Sequence, residues 1–157
     1  MSEGGHLLHH RIIALTGDAV QSKKRLFECA AGAVSVAFEL DSEAVYKALL
    51  GREKLGSTAI GEGVAIPHCR ISGCADPAGC LIILDDGIDF DAPDRLLVDL
   101  AFVLLVPIEA TQEHLNILAQ LAKAFADSDT RKKLREAASA EDARTTLIEH
   151  VCSCLPG

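Results

Sequence analysis

Two apolar runs constrain this chain more than any other feature. Ala78 to Leu84 carries no polar side chain and is closed by Asp85-Asp-Gly87. Leu97 to Val106 is a second run, broken by Asp99 and ended by Pro107. A strand with one wet face alternates apolar and polar residues, so runs of this kind suit strands covered on both faces. The chain therefore needs covering layers on two sides of a central sheet, and it carries helical patterns before and after the runs.

Leu26, Cys29, Ala30, Ala33 and Ala37 form one stripe of a helix expected over Ser22–Phe38. A second helix is expected from about Ser42 to Leu50, with Asp41 or Ser42 as N-cap and Val45, Ala48 and Leu49 inward. A short strand is expected at Gly63–Pro67. Beyond Pro107, Thr111 caps a helix with Leu115, Leu118, Leu121, Ala122 and Phe125 as its core stripe. Helices at about 128–137 and 140–151 follow, the latter with Ser139 as N-cap and Asp142 three residues on. The pattern predicts an α/β fold, a single-domain sandwich with a central mixed β-sheet flanked by helices. Residues 1–13 read as a flexible N-terminal tail, with His6, His9 and His10 clustered in it, and residues 14–152 as the domain. There is no internal repeat or interdomain linker.

Composition narrows the function. With one Tyr, five Phe and no Trp, the core must be built from Ala, Leu, Val and Ile. A net charge of −8 argues against a nucleic-acid surface, which needs a basic face, and leaves a local basic patch at Arg52, Lys54 and Arg70. The longest apolar stretch, Leu96–Ile108, is 13 residues, short of the about 20 a membrane helix needs. The opening Met1-Ser-Glu-Gly-Gly has no signal-peptide character, so a cytoplasmic protein without a membrane partner is expected. Cysteines at 29, 69, 74, 80, 152 and 154 form no CxxC pair and match no zinc spacing. They are expected to be reduced, with no metal and no cofactor.

The densest chemistry lies between Arg52 and His68, in Arg52-Glu-Lys-Leu-Gly-Ser-Thr-Ala-Ile-Gly-Glu-Gly-Val-Ala-Ile-Pro-His68. Pro67 fixes its own φ and biases Ile66 toward an extended conformation, which restrains the approach to His68. Gly56, Gly61 and Gly63 permit close backbone approach, Ser57 and Thr58 offer donors to anion oxygens, and Arg52 and Lys54 supply positive charge. No Walker A sequence and no GxGxxG is present. Taken alone, these residues fit either an imidazole presented to a phosphoryl group or a Gly-rich turn leading to a structural histidine.

The segments Leu55-Gly-Ser-Thr58 and Ala65-Ile-Pro-His68 resemble the active-site signature of the enzyme IIA domains of the bacterial sugar phosphotransferase system, mannitol/fructose class, and within it the nitrogen-regulatory branch. A second block, Val98 to Pro107 followed by Thr111-Gln-Glu-His114-Leu-Asn-Ile-Leu, resembles the same family, and the likeness runs over roughly residues 14 to 151. The resemblance implies a mannitol/fructose-type IIA fold and a phosphocarrier. In that reading neutral His68 is the nucleophile through Nε2, with Nδ1–H free to donate to a backbone carbonyl. His114 hydrogen-bonds the phosphoryl group, Arg52 stabilises its charge, and Ser57 and Thr58 bind its oxygens. For His114 the alternative is packing at the sheet edge, and for Arg52 a solvated helix-end charge.

The resemblance also implies partners. A histidine phosphocarrier protein is the donor, and regulatory proteins of nitrogen and potassium metabolism are the targets. A stand-alone sugar-transport IIA component passing phosphate to a IIB protein is the alternative. No membrane segment or second phosphotransferase domain is read in the chain, which favours regulation. A metal-dependent hydrolase built on His68, His114 and Cys69 would lack a placed acidic base, and no HExxH is present. One departure stands out: Cys69 occupies the position after the histidine where the family usually has glycine, which puts a thiol beside the nucleophile.

Overall fold

The computed structural model describes residues 11–17 and 19–153. In chain order the elements are β1 (Ile12–Gly17), α1 (Lys23–Phe38), α2 (Ser42–Lys54), β2 (Ala59–Gly61), β3 (Val64–Ala65), β4 (His68–Ile71), β5 (Ala78–Ile88), β6 (Val98–Pro107), α3 (Gln112–Ala126), α4 (Ser128–Arg135) and α5 (Ala140–Ser153). The strands form one mixed sheet ordered β1-β5-β6-β3-β2, with β4 also on β6. β5 and β6, the two apolar runs, are its antiparallel centre, with Cys80 opposite Val103 and Ile82 opposite Ala101.

Alternation along β6 divides the interior. Ala101, Val103 and Leu105 pack toward α1 and α2, with Leu26, Phe27, Val34, Val45 and Leu49. Leu100, Phe102, Leu104 and Val106 pack toward the C-terminal helices, with Ile117, Leu121, Phe125, Leu134 and Leu147. Every residue from Leu100 to Val106 is buried. This is the sandwich with a central mixed sheet that the two runs require.

Several details differ from the sequence reading. β1 begins at Ile12, inside the segment read as a tail, and pairs parallel with β5 from Gly79 to Leu84; residues 1–10 of that segment lie outside the described residues. The buried face of α1 is Leu26, Phe27, Ala30, Ala31 and Val34, rotated from the expected stripe. Phe27 and Val34 offer more apolar area than Ala33 or Ala37 and decide the rotation. α2 runs one turn past Leu50 to Lys54. β5 continues through Asp85-Asp-Gly87 to Ile88, carried on by its pairing with Val98.

The expected strand at Gly63–Pro67 is part of an interrupted line of strands along β6. β3 and β4 lie end to end on the same side of β6, Val64 and Ala65 beside Leu100 and Ala101, and His68 to Ile71 beside Leu104 to Pro107. Leu104 N–H bonds the Pro67 carbonyl at 2.8 Å, while Ile66 N–H donates the other way, to the Thr58 carbonyl at 3.0 Å. The Ile66 backbone groups thus face away from β6.

Candidate functional site

The interruption places His68. Its Nδ1 lies 2.8 Å from the Ile66 carbonyl. A carbonyl only accepts, so Nδ1 carries the hydrogen and Nε2 the free lone pair. His68 and Arg70 share one face of β4 while Cys69 and Ile71 enter the core toward α1 and α2. His68 is half-buried, at the floor of a cleft of about 330 Å³ between the end of α2 and the start of α3.

Three of the expected residues meet in that cleft: Arg52 from α2, His68 from β4 and His114 from α3. Leu104, Val106, Leu115 and Leu118 make much of its wall apolar. Leu121 and Phe125 of the expected core stripe of α3 are buried, joined by Ile117 and Ala124; Leu118 both packs against that core and lines the cleft, and Leu115 lines the cleft and is exposed. Ser57 and Thr58 lie in an adjoining cleft of about 300 Å³ that shares Arg52, His68 and Leu118 with the first and lacks His114.

Each polar group has a defined tether. Arg52 Nη1 donates to the Gly56 carbonyl at 2.9 Å, across the C-terminus of α2, leaving four of the guanidinium's five N–H groups. Thr111 is the N-cap of α3, and its Oγ1 accepts from His114 N–H at 3.3 Å. In return Thr111 N–H donates to His114 Nδ1 at 3.4 Å. The Ser57 hydroxyl donates to the Phe90 carbonyl and accepts from Ala59 N–H. Thr58 is buried, and its hydroxyl donates to Glu53 Oε1 at 2.6 Å. Both hydroxyl hydrogens are therefore directed into the protein.

Glu53 was not legible as a site residue, and it anchors this loop. Its side chain is 5% exposed, accepts from Thr58 N–H and Oγ1, and pairs with Lys23 Nζ at 2.9 Å. Lys23 also reaches Asp91 and lies over the Phe90 ring. Burial pulls the Lys23 ammonium down, but Glu53 and Asp91 outweigh it and hold it above the usual lysine range. The tether links α1 to the motif loop across 30 residues, a spacing without local signature.

Cys69 is buried, and desolvation pushes its thiol up to about 12. It is therefore a protonated, weakly nucleophilic core group beside His68. Among the described residues, no three His, Cys, Asp or Glu side chains are grouped to hold a metal ion, and no helix is long and apolar enough to cross a membrane.

The chain matches the family described as phosphoenolpyruvate-dependent sugar phosphotransferase system, EIIA 2, over residues 6–150. A nitrogen regulatory protein of Pseudomonas aeruginosa is 50% identical over 129 residues, 82% of this chain and 84% of that protein. The crystal structure of nitrogen regulatory protein IIA-Ntr from Neisseria meningitidis superposes with a TM-score of 0.78 at 42% identity, covering 91% of this chain and 97% of that one. IIA mannitol from Escherichia coli shares the fold, with a TM-score of 0.70 at 21% identity over 87% of this chain and 95% of that one.

Proposed function

The chain belongs to the EIIA 2 family of the phosphotransferase system, and from that premise we propose that it carries a phosphoryl group on His68 Nε2. The observation that supports this most is the hydrogen bond from His68 Nδ1–H to the Ile66 carbonyl, which leaves Nε2 as the nucleophilic nitrogen of a residue lining an open cleft. The donor is a histidine phosphocarrier protein. A bond forms between His68 Nε2 and phosphorus as the donor's nitrogen–phosphorus bond breaks, and the bonding pair returns to the donor ring. Exchange between two imidazoles is chemically near-balanced, so the protein's contribution is positioning and charge stabilisation.

Arg52 supplies that charge from its unused N–H groups, and His114 donates a hydrogen bond to a phosphoryl oxygen. Ser57 and Thr58 form the wall behind the oxygens; direct donation from either hydroxyl requires releasing Phe90 or Glu53. Exposed Leu55, Leu115 and Ile108, with Arg70, make the surface on which the donor docks. A phosphoryl group adds about −1.5 to −2 charge to that surface, which changes the set of proteins able to bind it. On this basis, and from the nitrogen-regulatory names of its relatives, the protein acts as a phosphorylation-dependent regulator of nitrogen metabolism.

The test is intact-protein mass spectrometry after incubation with phosphoenolpyruvate, enzyme I and a histidine phosphocarrier. One acid-labile phosphoryl addition on the wild type, absent from His68→Ala, is expected. No addition, with the donor verified as phosphorylated, refutes the phosphocarrier assignment.

A further inference from the structure

The two histidines of the cleft are held by different backbone groups in opposite senses. His68 Nδ1 meets a carbonyl at 2.8 Å and must carry the hydrogen. His114 Nδ1 meets the Thr111 N–H at 3.4 Å and must be bare. Neutral imidazole has one N–H, so the hydrogen of His114 sits on Nε2. Placing it on Nδ1 would set it against the Thr111 N–H. One ring therefore offers a lone pair at Nε2 and the other a hydrogen at Nε2, and both rings line the same cleft.

We propose that Thr111 is a positioning residue whose backbone N–H locks His114 as the Nε2–H tautomer, keeping it a donor toward a phosphoryl group on His68. This rests on the phosphocarrier reading for its purpose, but the lock exists in the unphosphorylated protein. Thr111 performs two separable tasks. Its Oγ1 caps α3 by accepting from His114 N–H, and its N–H holds the ring nitrogen. An N-cap hydroxyl is a common stabilising device. The reciprocal bond is ordinarily made by a Glu or Gln side chain at the third helical position. With histidine there, the same bond also decides where a proton resides.

Thr111 has φ −80 and ψ 169, a backbone geometry proline can adopt. Thr111→Pro therefore deletes the N–H together with the hydroxyl, while Thr111→Ala deletes the hydroxyl alone. Long-range 1H–15N correlation spectra of the histidine rings report the tautomer directly. The wild type and Thr111→Ala are expected to show His114 with the hydrogen on Nε2 and Nδ1 as acceptor. In Thr111→Pro the ratio of tautomers is expected to fall about fivefold, the change that corresponds to one lost hydrogen bond of about 1 kcal/mol. Phosphoryl transfer is expected to slow about two- to fivefold, within that loss, beyond any effect of Thr111→Ala.

Nδ1–H on His114 in the wild type overturns the lock without recourse to any variant, which covers a Thr111→Pro protein that does not fold. Unchanged His114 ring shifts in a folded Thr111→Pro protein overturn it as well. A tautomer ratio that falls in Thr111→Pro, in a wild-type protein that accepts no phosphoryl group, upholds the lock and overturns the phosphocarrier reading instead.

Discussion

Replacing Glu53 by glutamine removes one charge with little change in volume, at the group that anchors the motif loop. The carboxylate takes Lys23 Nζ at 2.9 Å, Thr58 Oγ1 at 2.6 Å and Thr58 N–H at 3.2 Å. A carboxamide keeps one acceptor oxygen and turns the other into an NH2 facing donors. Removing one partner of a fully buried ion pair costs about 3–5 kcal/mol. Lys23 moderates this, because its side chain is 20% exposed and Asp91 stays at 3.3 Å. The expected loss is about 2–3 kcal/mol, in the upper part of the range for a charge-assisted hydrogen bond. At about 2–4 °C per kcal/mol for a domain of this size, the melting temperature should fall by about 5–10 °C. Urea unfolding followed by circular dichroism measures the loss, with the denaturant slope unchanged. Thr58→Val, alone and combined with Glu53→Gln, should reveal a coupling of at least about 1 kcal/mol. A loss below about 0.5 kcal/mol, or strict additivity, refutes the claim that this carboxylate holds the loop.

Arg52→Ala should slow phosphoryl transfer about ten- to a hundredfold, the equivalent of one charge-assisted contact, in a protein that still unfolds cooperatively; single-turnover rates from a phosphorylated donor check it. The buried thiols set an alkaline limit. Desolvation raises Cys69 and Cys80 to about 12 in the folded protein, whereas a solvated thiol ionises near ~8.5. Their contribution is thus fully present below about pH 8.5 and is lost as pH rises toward the folded values, at about 1.4 kcal/mol per pH unit for each thiol. Urea titrations between about pH 9 and 11 should show Cys69→Ala with a shallower decline than wild type by one thiol's share; parallel declines would refute it.

What was legible in the chain follows from how local each signal is. β5 and β6 could be read because a strand covered on both faces writes its burial into consecutive residues. β1 could not, since Ile12–Gly17 is a strand by virtue of a parallel pairing with residues 79–84, far along the chain. The alanines of α1 suit either face of a helix, so its orientation depended on Phe27 and Val34 meeting the sheet. Leu115 was read as core, yet it is exposed on the cleft, because apolar periodicity does not distinguish a core wall from a cleft wall. In the site, Arg52, His68 and His114 were named from motif blocks, and they converge on one cleft. Lys23 and Glu53 carry no motif; their pairing exists only once α1 has packed beside α2.

Arg52, His68 and His114 have one thing in common: each is held by a backbone group that regular structure leaves unused. Helix ends and strand interruptions leave carbonyls and N–H groups outside the ladders, and those groups need partners. The Gly56 carbonyl, past the end of α2, takes Arg52. The Ile66 carbonyl, left without a ladder partner where Pro67 interrupts the pairing with β6, takes His68. Thr111 N–H, at the start of α3, takes His114. Side chains held this way depend on the path of the main chain more than on the rotamers of their neighbours. Substitutions in the apolar wall, such as Leu115 or Leu118, should therefore alter what docks while leaving the rings in place. Substitutions that redirect the backbone at Pro67 or Thr111 should misalign a ring even though no polar side chain of the cleft has been removed. The Pro-His pair and the Thr-x-x-His spacing are thus parts of the proposed chemistry, because they decide which nitrogen of each imidazole the main chain holds.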